Sequence, residues 1–381
     1  MQTELETRPV NLSDIALALG ITKATVSYAL SGKGRVAPST RQRVLEVAQE
    51  MGFQPNPHAK TLSMGRASNT IALCFTLDLG VSARKLQVIQ GLLMGQGYEI
   101  PAHALRSSTT SQIVRQTTDI VSTVCRQRPR AIISTELPAE ALPALRHYQV
   151  QGGIVVCYDM PMSLDCDQVL FDRVHSGYVA TKHLLELGHR EIAYGFPGTP
   201  TPKGPYFDGY CRALKEYGLS VREEWLLSND THGFGGGIYE EAGAQLAQEY
   251  LARKCRPSAV CITDDYSVVA FAAALEEAGL SVPRDVSVVG CDDSPIARYG
   301  PLKVTTVTHP VQTIAEHVVE CVRNRIETGD ESPPRVVTLQ GKLIVRASTA
   351  ERKEASHAVD VLRQKSSLEQ EKDGSKQSFA A

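Results

Sequence analysis

Three aspartates stand where a small polar ligand could be bound. Asp159, Asp264 and Asp292 each directly follow a run of apolar residues typical of a buried strand. The carboxyl ends of parallel strands meet at one edge of a sheet, where α/β proteins bind ligands. A carboxylate there can accept hydrogen bonds from hydroxyl or amine groups. Capping of the following helix is the alternative role, and it is the favoured interpretation for the adjacent Asp265 and Asp293.

A second set of candidate contacts lies near the N-terminus. Lys23, Ala24, Ser27 and Tyr28 fall on one side of a predicted helix, residues 23–30, whose other side is apolar. Side chains arranged in this way can enter the major groove of DNA and meet base edges, although Ala24 offers only a methyl group.

The charge distribution agrees with contact to phosphates at one end of the chain. Residues 8–66 carry eight Lys or Arg against three Asp or Glu, whereas the whole chain has a net charge of −2. A basic unit on a more acidic body is typical of a protein that binds nucleic acid through that unit.

Composition and targeting signals narrow the class of protein. No apolar run approaches the roughly 20 residues needed to span a bilayer, and residues 1–11 lack the apolar segment of a secretory signal. A cytoplasmic location without a membrane partner is therefore expected. The nine cysteines form no Cys-x-x-Cys pair, which predicts reduced thiols, no metal site and no cofactor.

The elements that would present the DNA contacts are three short helices. The first is predicted over residues 12–19 and ends at Gly20, and Thr22 is placed to cap the second. A third helix is predicted to start at Pro38, with apolar residues at helical spacing after it. Three short helices with a glycine turn between the first two indicate a helix-turn-helix unit.

The elements that would position the aspartates alternate between strands and helices. Strands are predicted at 70–75, 131–134, 153–158, 191–195, 258–263 and 286–291, and helices at 178–187, 209–217, 240–253 and 268–278. This alternation predicts an α/β fold of doubly wound sheets. Because about 280 residues exceed a comfortable single core, two lobes with a cleft between them are expected.

The predicted domain organisation has five parts. They are a flexible lead (1–10), an all-α helix-turn-helix headpiece (11–54), a hinge (55–67), a two-lobed ligand-binding and dimerisation domain (68–350) and a disordered tail (351–381). The chain is expected to cross between the lobes near residues 168, 306 and 331.

The N-terminal stretch resembles the headpiece of the lactose-repressor (LacI/GalR) family. The resemblance rests on an ordered set of motifs, DIA, ATVS at 24–27, SGKGRV, TRQRV at 40–44 and GFQPNPHAKTL. It continues more loosely to about residue 349, through HLLELGHREIAY, DGYCRAL, PSAVCITDD and RDVSVVGCDDSPIARYGPLKVTTV.

The resemblance implies which residues contact DNA. They are Leu12, Thr22, Lys23, Ala24, Thr25, Ser27, Tyr28, Ser31, Arg35, Thr40, Asn56, Lys60 and Leu62. Arg35, Thr40 and Asn56 would hold phosphates. Leu62 would be the hinge leucine that enters the minor groove, with Lys60 beside it. Tyr28 departs from the family, which usually has Arg there, so the base preference at that position should differ.

Family members fold the second region like sugar-binding periplasmic proteins, dimerise through it and hold an effector between the lobes. The implied effector contacts are Asp159, Tyr206, Asp264 and Asp292. Tyr206 stands where relatives commonly have Arg, Asp264 where they usually have Asn, and DLGVSARKL at 78–86 replaces an Asn-Pro-Phe-Phe-like loop. These changes predict a more acidic and more aromatic pocket than one for a simple hexose.

The sequence thus predicts a homodimeric transcription regulator, a repressor, that binds a pseudo-palindromic double-stranded operator and a carbohydrate or nucleoside-like effector. One alternative is a periplasmic-type solute receptor, which would have an export signal and no headpiece. The other is a carbohydrate or nucleotide enzyme, which would need catalytic residues that no motif in the chain supplies.

Overall fold

The computed structural model describes residues 12–31, 36–51, 69–76, 80–105, 111–196, 204–228, 239–327 and 332–352. The chain divides into two compact units, Met1–Ser68 and Asn69–Ala381. No helix among these residues is both long enough and apolar enough to cross a membrane.

Three helices form the N-terminal unit, as predicted. They are α1 (Leu12–Leu19), α2 (Lys23–Ser31) and α3 (Pro38–Glu50). Ile15, Val26 and Val44, one from each helix, are fully buried and form the centre of a small core. The backbone NH of Thr25 donates to the Thr22 hydroxyl at 3.1 Å, so Thr22 caps α2. Gly20 takes a φ of +64°, which explains why the turn between α1 and α2 needs glycine.

The second unit contains alternating strands and helices. The described strands, in chain order, are β1 (Ile71–Thr76), β2 (Ala102–Leu105), β3 (Ala131–Ser134), β4 (Ile154–Asp159), β5 (Asp167–Phe171), β6 (Ile192–Phe196), β7 (Leu226–Ser228), β8 (Ala259–Ile262), β9 (Ser287–Asp292), β10 (Thr305–Thr308), β11 (Val336–Leu339) and β12 (Leu343–Ile344). The described helices are α4 (Val81–Met94), α5 (Ser111–Gln127), α6 (Leu142–Val150), α7 (Arg173–Glu186), α8 (Pro205–Glu216), α9 (Tyr239–Ala252), α10 (Asp265–Glu277), α11 (Pro295–Tyr299) and α12 (Val311–Glu327).

The strands form two six-stranded sheets with the same arrangement. Their orders are β11-β5-β4-β3-β1-β2 and β12-β10-β9-β8-β6-β7. All pairings are parallel except β10 with β12. Buried apolar clusters cover both faces of each sheet, which confirms the predicted pair of doubly wound lobes. We call them lobe 1, with β1–β5, and lobe 2, with β6–β10.

The chain crosses between the lobes three times. It leaves β5 of lobe 1 for α7, which packs on lobe 2, and it returns after β10 to α12, which packs on lobe 1. The third passage joins β11 to β12 through residues 340–342. The expected position near 331 is therefore wrong by about ten residues, because residues 336–339 first add an edge strand to lobe 1.

The last described residues form a strap along the amino ends of the lobe 2 strands. The Ser348 hydroxyl donates to the carbonyl of Val288 at 2.6 Å and accepts from the NH of Thr305 at 2.8 Å. Further along, the NH of Ala350 donates to Ser287 Oγ at 3.0 Å. The strap thus adds a side-chain link between the first residues of β9 and β10, which already pair with each other in the sheet.

Two glycines bring α7 and α8 into backbone contact. A Cβ on Gly177 would lie 2.0 Å from the carbonyl oxygen of Tyr206, and one on Gly209 would lie 2.1 Å from that of Val174. Only glycine permits this approach, so the pair fixes where Tyr206 sits relative to α7.

We predict that Gly209→Ala lowers the free energy of unfolding by about 1–3 kcal/mol, because the added methyl group meets backbone rather than a movable side chain. Gly91→Ala in α4 is the matched control, since its Cβ would have no heavy atom within 4 Å. It should raise stability by about 0.5–1 kcal/mol. Thermal unfolding compares the two, and equal effects would contradict the proposed close packing.

Candidate ligand cleft and DNA-facing helix

Asp159 is the centre of a buried group of charges at the carboxyl end of lobe 1. Its Oδ2 lies 2.7 Å from Lys85 Nζ of α4 and 2.8 Å from Arg173 Nη2 of α7. Arg173 Nη1 also donates to the Asp159 carbonyl at 2.8 Å, so the guanidinium bonds both the side chain and the main chain of Asp159. Asp159 is the last residue of β4 and has a φ of +79°, an uncommon conformation that marks functional sites more often than ordinary strand ends.

The electrostatics of this group follow from its composition. Burial alone would raise the pKa of Asp159, but the charges of Lys85 and Arg173 hold it well below its usual value. Burial lowers the pKa of Lys85, whose side chain is fully enclosed, and the Asp159 carboxylate opposes that shift. The Asp159 carboxylate is therefore ionised, and the positive charges of Lys85 and Arg173 balance its charge.

His309 joins this group to lobe 2. Its Nε2 lies 3.2 Å from Asp159 Oδ1, and its Nδ1 lies 3.4 Å from Asp292 Oδ1. Asp292 ends β9 with a φ of +98° and is the most exposed of the three candidate carboxylates, with 17% of its side chain accessible. The candidate carboxylates of the two lobes therefore face each other across one imidazole ring.

Asp264 occupies a different environment. It caps α10, where it accepts hydrogen bonds from the Ser267 NH and hydroxyl, both at 2.7 Å. Burial raises its pKa to about 7, and the Asp292 charge adds to the rise. The capping role expected for the next residue, Asp265, is wrong: Asp265 instead accepts from Ser294, with a pKa that burial and Asp292 raise to about 8.

Capping is also wrong for Asp293, which pairs with Arg298 and Arg346. Those partners lie within lobe 2, and they hold the pKa of Asp293 below its usual value against the effect of burial. Its role is to join α11 to the strap, and it carries no argument for ligand binding.

Tyr206 borders the same group of residues. Its hydroxyl accepts a hydrogen bond from Cys291 Sγ at 3.5 Å. The Arg173 guanidinium lies 5.9 Å from the Tyr206 ring centre and 5.5 Å from that of Phe171. Although Tyr206 replaces the expected arginine, Arg173 and Lys85 supply positive charge nearby. The expected more acidic character therefore describes the lobe 2 side, with Asp264 and Asp292, whereas the lobe 1 side carries the positive charges of Lys85 and Arg173 beside Asp159.

Helix α2, the candidate DNA-binding helix, exposes most of the side chains predicted to meet base edges. Lys23, Ala24 and Tyr28 are exposed, and Ser27 is half-buried, on the side opposite Val26. Of the flanking residues predicted to contact DNA, Thr22 is exposed, and Leu12, Thr25 and Thr40 are half-buried. Ser31 ends the helix. Arg35, Asn56, Lys60 and Leu62 lie outside the described residues.

Three residues of the cleft were not foreseen from the sequence: Lys85, Arg173 and His309. Each of them has a local sequence feature that could have indicated it. Lys85 lies in the segment that replaces the family loop, Arg173 follows Phe171-Asp172 at the end of an unpredicted strand, and His309 precedes the proline at a crossing. Within the described ranges, no cluster of His, Cys, Asp or Glu has the arrangement of a metal site.

Comparison with known proteins agrees with this architecture. Residues 11–56 match the family model for bacterial regulatory proteins of the lacI family, and residues 181–349 match that for a periplasmic binding protein-like domain. The HTH-type transcriptional repressor PurR of Erwinia tasmaniensis is 27% identical over 348 residues, which cover 89% of this chain and 97% of that protein. The repressor PurR of Pectobacterium carotovorum is 26% identical over 345 residues.

Solved structures share the fold. A LacI-family transcriptional regulator from Silicibacter pomeroyi has a TM-score of 0.70 at 21% identity, covering 90% of this chain and all of that one. The lac repressor dimer bound to operator and an anti-inducer has a TM-score of 0.66 at 20% identity over the same share of this chain. With its headpiece, its two α/β lobes and these relatives, the chain belongs to the LacI family of DNA-binding transcriptional regulators.

Proposed function

We propose that this regulator acts in the cytoplasm as a homodimeric repressor of a pseudo-palindromic operator, and that a small molecule bound between its lobes controls its affinity for DNA. The observation that carries the proposal is the meeting of Asp159 and Asp292, from different lobes, at one crossing residue. A ligand bound there contacts both lobes and can change the angle between them.

Support for the DNA-binding mode comes from α2. Its exposed Lys23, Ala24 and Tyr28 provide a charge, a methyl group and a phenol for base edges and phosphates. One such helix reads too few bases for specific binding in a genome, whereas two related by a two-fold axis read a palindrome. The structural relative solved with its operator is a dimer.

Contacts from the hinge, and from Arg35 of the headpiece, complete the proposed interface. Asn56 and Arg35 would hold phosphates, and Leu62 with Lys60 would enter the minor groove, as the resemblance implies. Effector binding would alter the lobes, and through the hinges it would change operator affinity by a coupling free energy.

The chemistry of the cleft favours an effector rich in hydrogen-bond donors. Lys85 and Arg173 are already occupied by Asp159, so the protein has neutralised that carboxylate itself. Asp292, which is more accessible, can accept from hydroxyl or amine groups, and Tyr206 borders the site with an aromatic ring. A carbohydrate or a nucleoside-like compound has these groups.

Relatives with this fold give further support. A CelR regulator has been solved with cellobiose, and a LacI-family regulator from Enterococcus faecium with ribose. A ligand of similar size and polarity would suit this cleft, and an anionic group would be disfavoured next to Asp292 and Asp264.

We predict that Tyr28→Arg changes the base preference at one symmetric pair of operator positions and leaves the rest of the site unchanged, because a guanidinium pairs with guanine where a phenol does not. Selection of binding sites from random duplexes measures this for the wild type and the variant. Arg43→Lys, a conservative change on α3, serves as the control. An unchanged consensus with Tyr28→Arg would show that Tyr28 packs on the headpiece and does not read bases.

We predict that Asp292→Asn weakens effector binding by about ten- to a hundredfold, since a hydrogen bond to a charged acceptor contributes about 1.5–3 kcal/mol. Asparagine is chosen because it tolerates the positive φ of this position, whereas alanine would be strained. Binding is measured by thermal shift and calorimetry with a panel of sugars, amino sugars, nucleosides and sugar phosphates.

The matched control for this experiment is Asp165→Asn, which changes an exposed aspartate of lobe 1 that precedes the amino end of β5, whereas Asp159 and Asp292 lie at the carboxyl ends of their strands. It should leave effector binding unchanged. If a sugar phosphate were the best ligand and still stabilised Asp292→Asn, the proposed site would be wrong.

A further inference from the structure

Lys85 is a lysine that the folded chain removes entirely from solvent. It lies in the second turn of α4, and none of its side chain is exposed. Lysine is almost never fully buried unless it is paired. Here the ammonium nitrogen lies 2.7 Å from Asp159 Oδ2, 3.4 Å from His309 Nε2 and 5.8 Å from the centre of the Tyr158 ring. The carboxylate and the aromatic face both attract a cation, so the surroundings of Lys85 are those of a cation site.

Lys85 completes a balance of charges at the carboxyl end of lobe 1. Arg173 bonds the same carboxylate of Asp159 at 2.8 Å, and the charge of Asp292 in lobe 2 also favours the charged form of Lys85. Without Lys85, Arg173 would stand alone against two carboxylates. Apolar side chains can often replace a buried ion pair without loss of stability, so stability alone does not explain a lysine here. Its specific effect is to occupy Asp159.

The equivalent carboxylate of lobe 2 has no such partner. β4 and β9 hold the same third position in their sheets, and Asp159 and Asp292 are the last residues of those strands. In the part of the chain that the structure describes, no Lys or Arg forms an ion pair with Asp292, and 17% of its side chain is exposed against 10% for Asp159. Lobe 2 thus keeps its strand-end carboxylate available, whereas lobe 1 has filled the matching place.

We propose that Lys85 determines which effectors the cleft accepts. It fills a subsite for a primary ammonium group on Asp159 with a side chain of the protein itself. A cationic group of a ligand is therefore excluded from lobe 1 and can be bound only by the carboxylates of lobe 2. Lys85 acts through Asp159 and touches no ligand, since it is not exposed. This role deepens the function proposed above and rests on it.

The proposed subsite has a defined length. Lys85→Ala keeps the Cβ atom and removes three methylene groups and the ammonium, which together have the size of n-propylammonium. Because Lys85 is fully enclosed, the removed atoms leave an internal cavity that ends at the Asp159 carboxylate. A cation of matching length should therefore bind in this cavity, whereas methylammonium is too short and n-hexylammonium too long to fill it.

The test uses the full chain without operator or effector, and alkylammonium chlorides are the probes. Thermal unfolding of Lys85→Ala is measured in methyl-, n-propyl- and n-hexylammonium chloride, with sodium chloride at equal concentration as the reference. At about ten times its dissociation constant, n-propylammonium should raise the ratio of folded to unfolded protein about tenfold, or the Tm by about 3 °C. The wild type should show a much smaller rise without an optimum at the propyl chain, because its subsite is full.

Lys182→Ala is the matched control. Lys182 also pairs with a carboxylate, and its Nζ lies 3.1 Å from Glu216 Oε1, but both side chains are partly exposed on lobe 2. Its removal opens no enclosed cavity, so this variant should respond to n-propylammonium as it does to sodium chloride. A response equal to that of Lys85→Ala would show a general effect of the salt and would contradict the proposed subsite.

A second pair of variants tests the same subsite if Lys85→Ala does not fold. Lys85→Met keeps most of the side-chain volume but loses the charge, which leaves an excess of negative charge beside Asp159. The double variant Lys85→Met/Asp159→Asn removes that excess, and asparagine tolerates the positive φ of this position. In urea unfolding, the double variant should have a ratio of folded to unfolded protein at least about tenfold higher than Lys85→Met alone, because an unpaired buried charge is strongly destabilising.

Three results would overturn the inference. They are an n-propylammonium effect on Lys85→Ala no larger than that of sodium chloride, a wild type that responds as strongly as Lys85→Ala, and a double variant no more stable than Lys85→Met. Because neither operator nor effector is present, failure here leaves the proposed function untouched. Conversely, absence of specific DNA binding would refute the proposed function without affecting these measurements.

Discussion

The two-lobed domain depends on the burial of one carboxylate, that of Asp159, among charges drawn from three other segments. Removing an ion from water costs several kcal/mol, and only close partners of opposite charge offset that cost. Lys85 and Arg173 supply them from α4 and α7, and His309 stands on the far side. Loss of Asp159, or of its cationic partners, would leave an unpaired charge in the interior and would destabilise the fold. The placement of two helices and one crossing is therefore tied to a single strand end.

This constraint also explains the backbone at the strand ends. Asp159 and Asp292 both adopt positive φ, which costs free energy for residues other than glycine. The conformation turns each carboxylate out of its sheet and toward His309 instead of continuing along the strand. Strain is retained at a place where the side chains need an orientation that a regular strand cannot give.

The sequence predicted the continuous apolar strands with errors of a single residue at most ends, because burial on both faces leaves an unbroken apolar run. It did not reveal the other six described strands, β2, β5, β7, β10, β11 and β12. β10 reads Thr-Thr-Val-Thr, and β11 is a partly exposed edge strand, so neither has that pattern. Helices α7 and α10 start several residues before the predicted points, because their first turns are polar and begin at the caps Asp172 and Asp264.

Sequence neighbours also decide which residues of the candidate cleft could be predicted. The strand-end rule located Asp159, Asp264 and Asp292, because it depends only on neighbours along the chain. Their partners Lys85 and His309 are 74 residues before and 150 residues after Asp159 (159 − 85 and 309 − 159). No local pattern connects such positions. Whether a carboxylate is free or neutralised could be decided only from the folded chain.

The strap over lobe 2 has a consequence for how the protein is made. Ser348 and Ala350 form hydrogen bonds with the first residues of β9 and β10. Helix α12, which covers an apolar face of lobe 1, follows the first five strands of lobe 2 in the sequence. During synthesis, therefore, neither lobe can close when its own strands first leave the ribosome, since each waits for residues near the end of the chain. Contacts of such long sequence separation are slow to form. Nascent chains stalled before residue 348 should thus remain open to proteases and chaperones, whereas the headpiece, with its local contacts, can fold early.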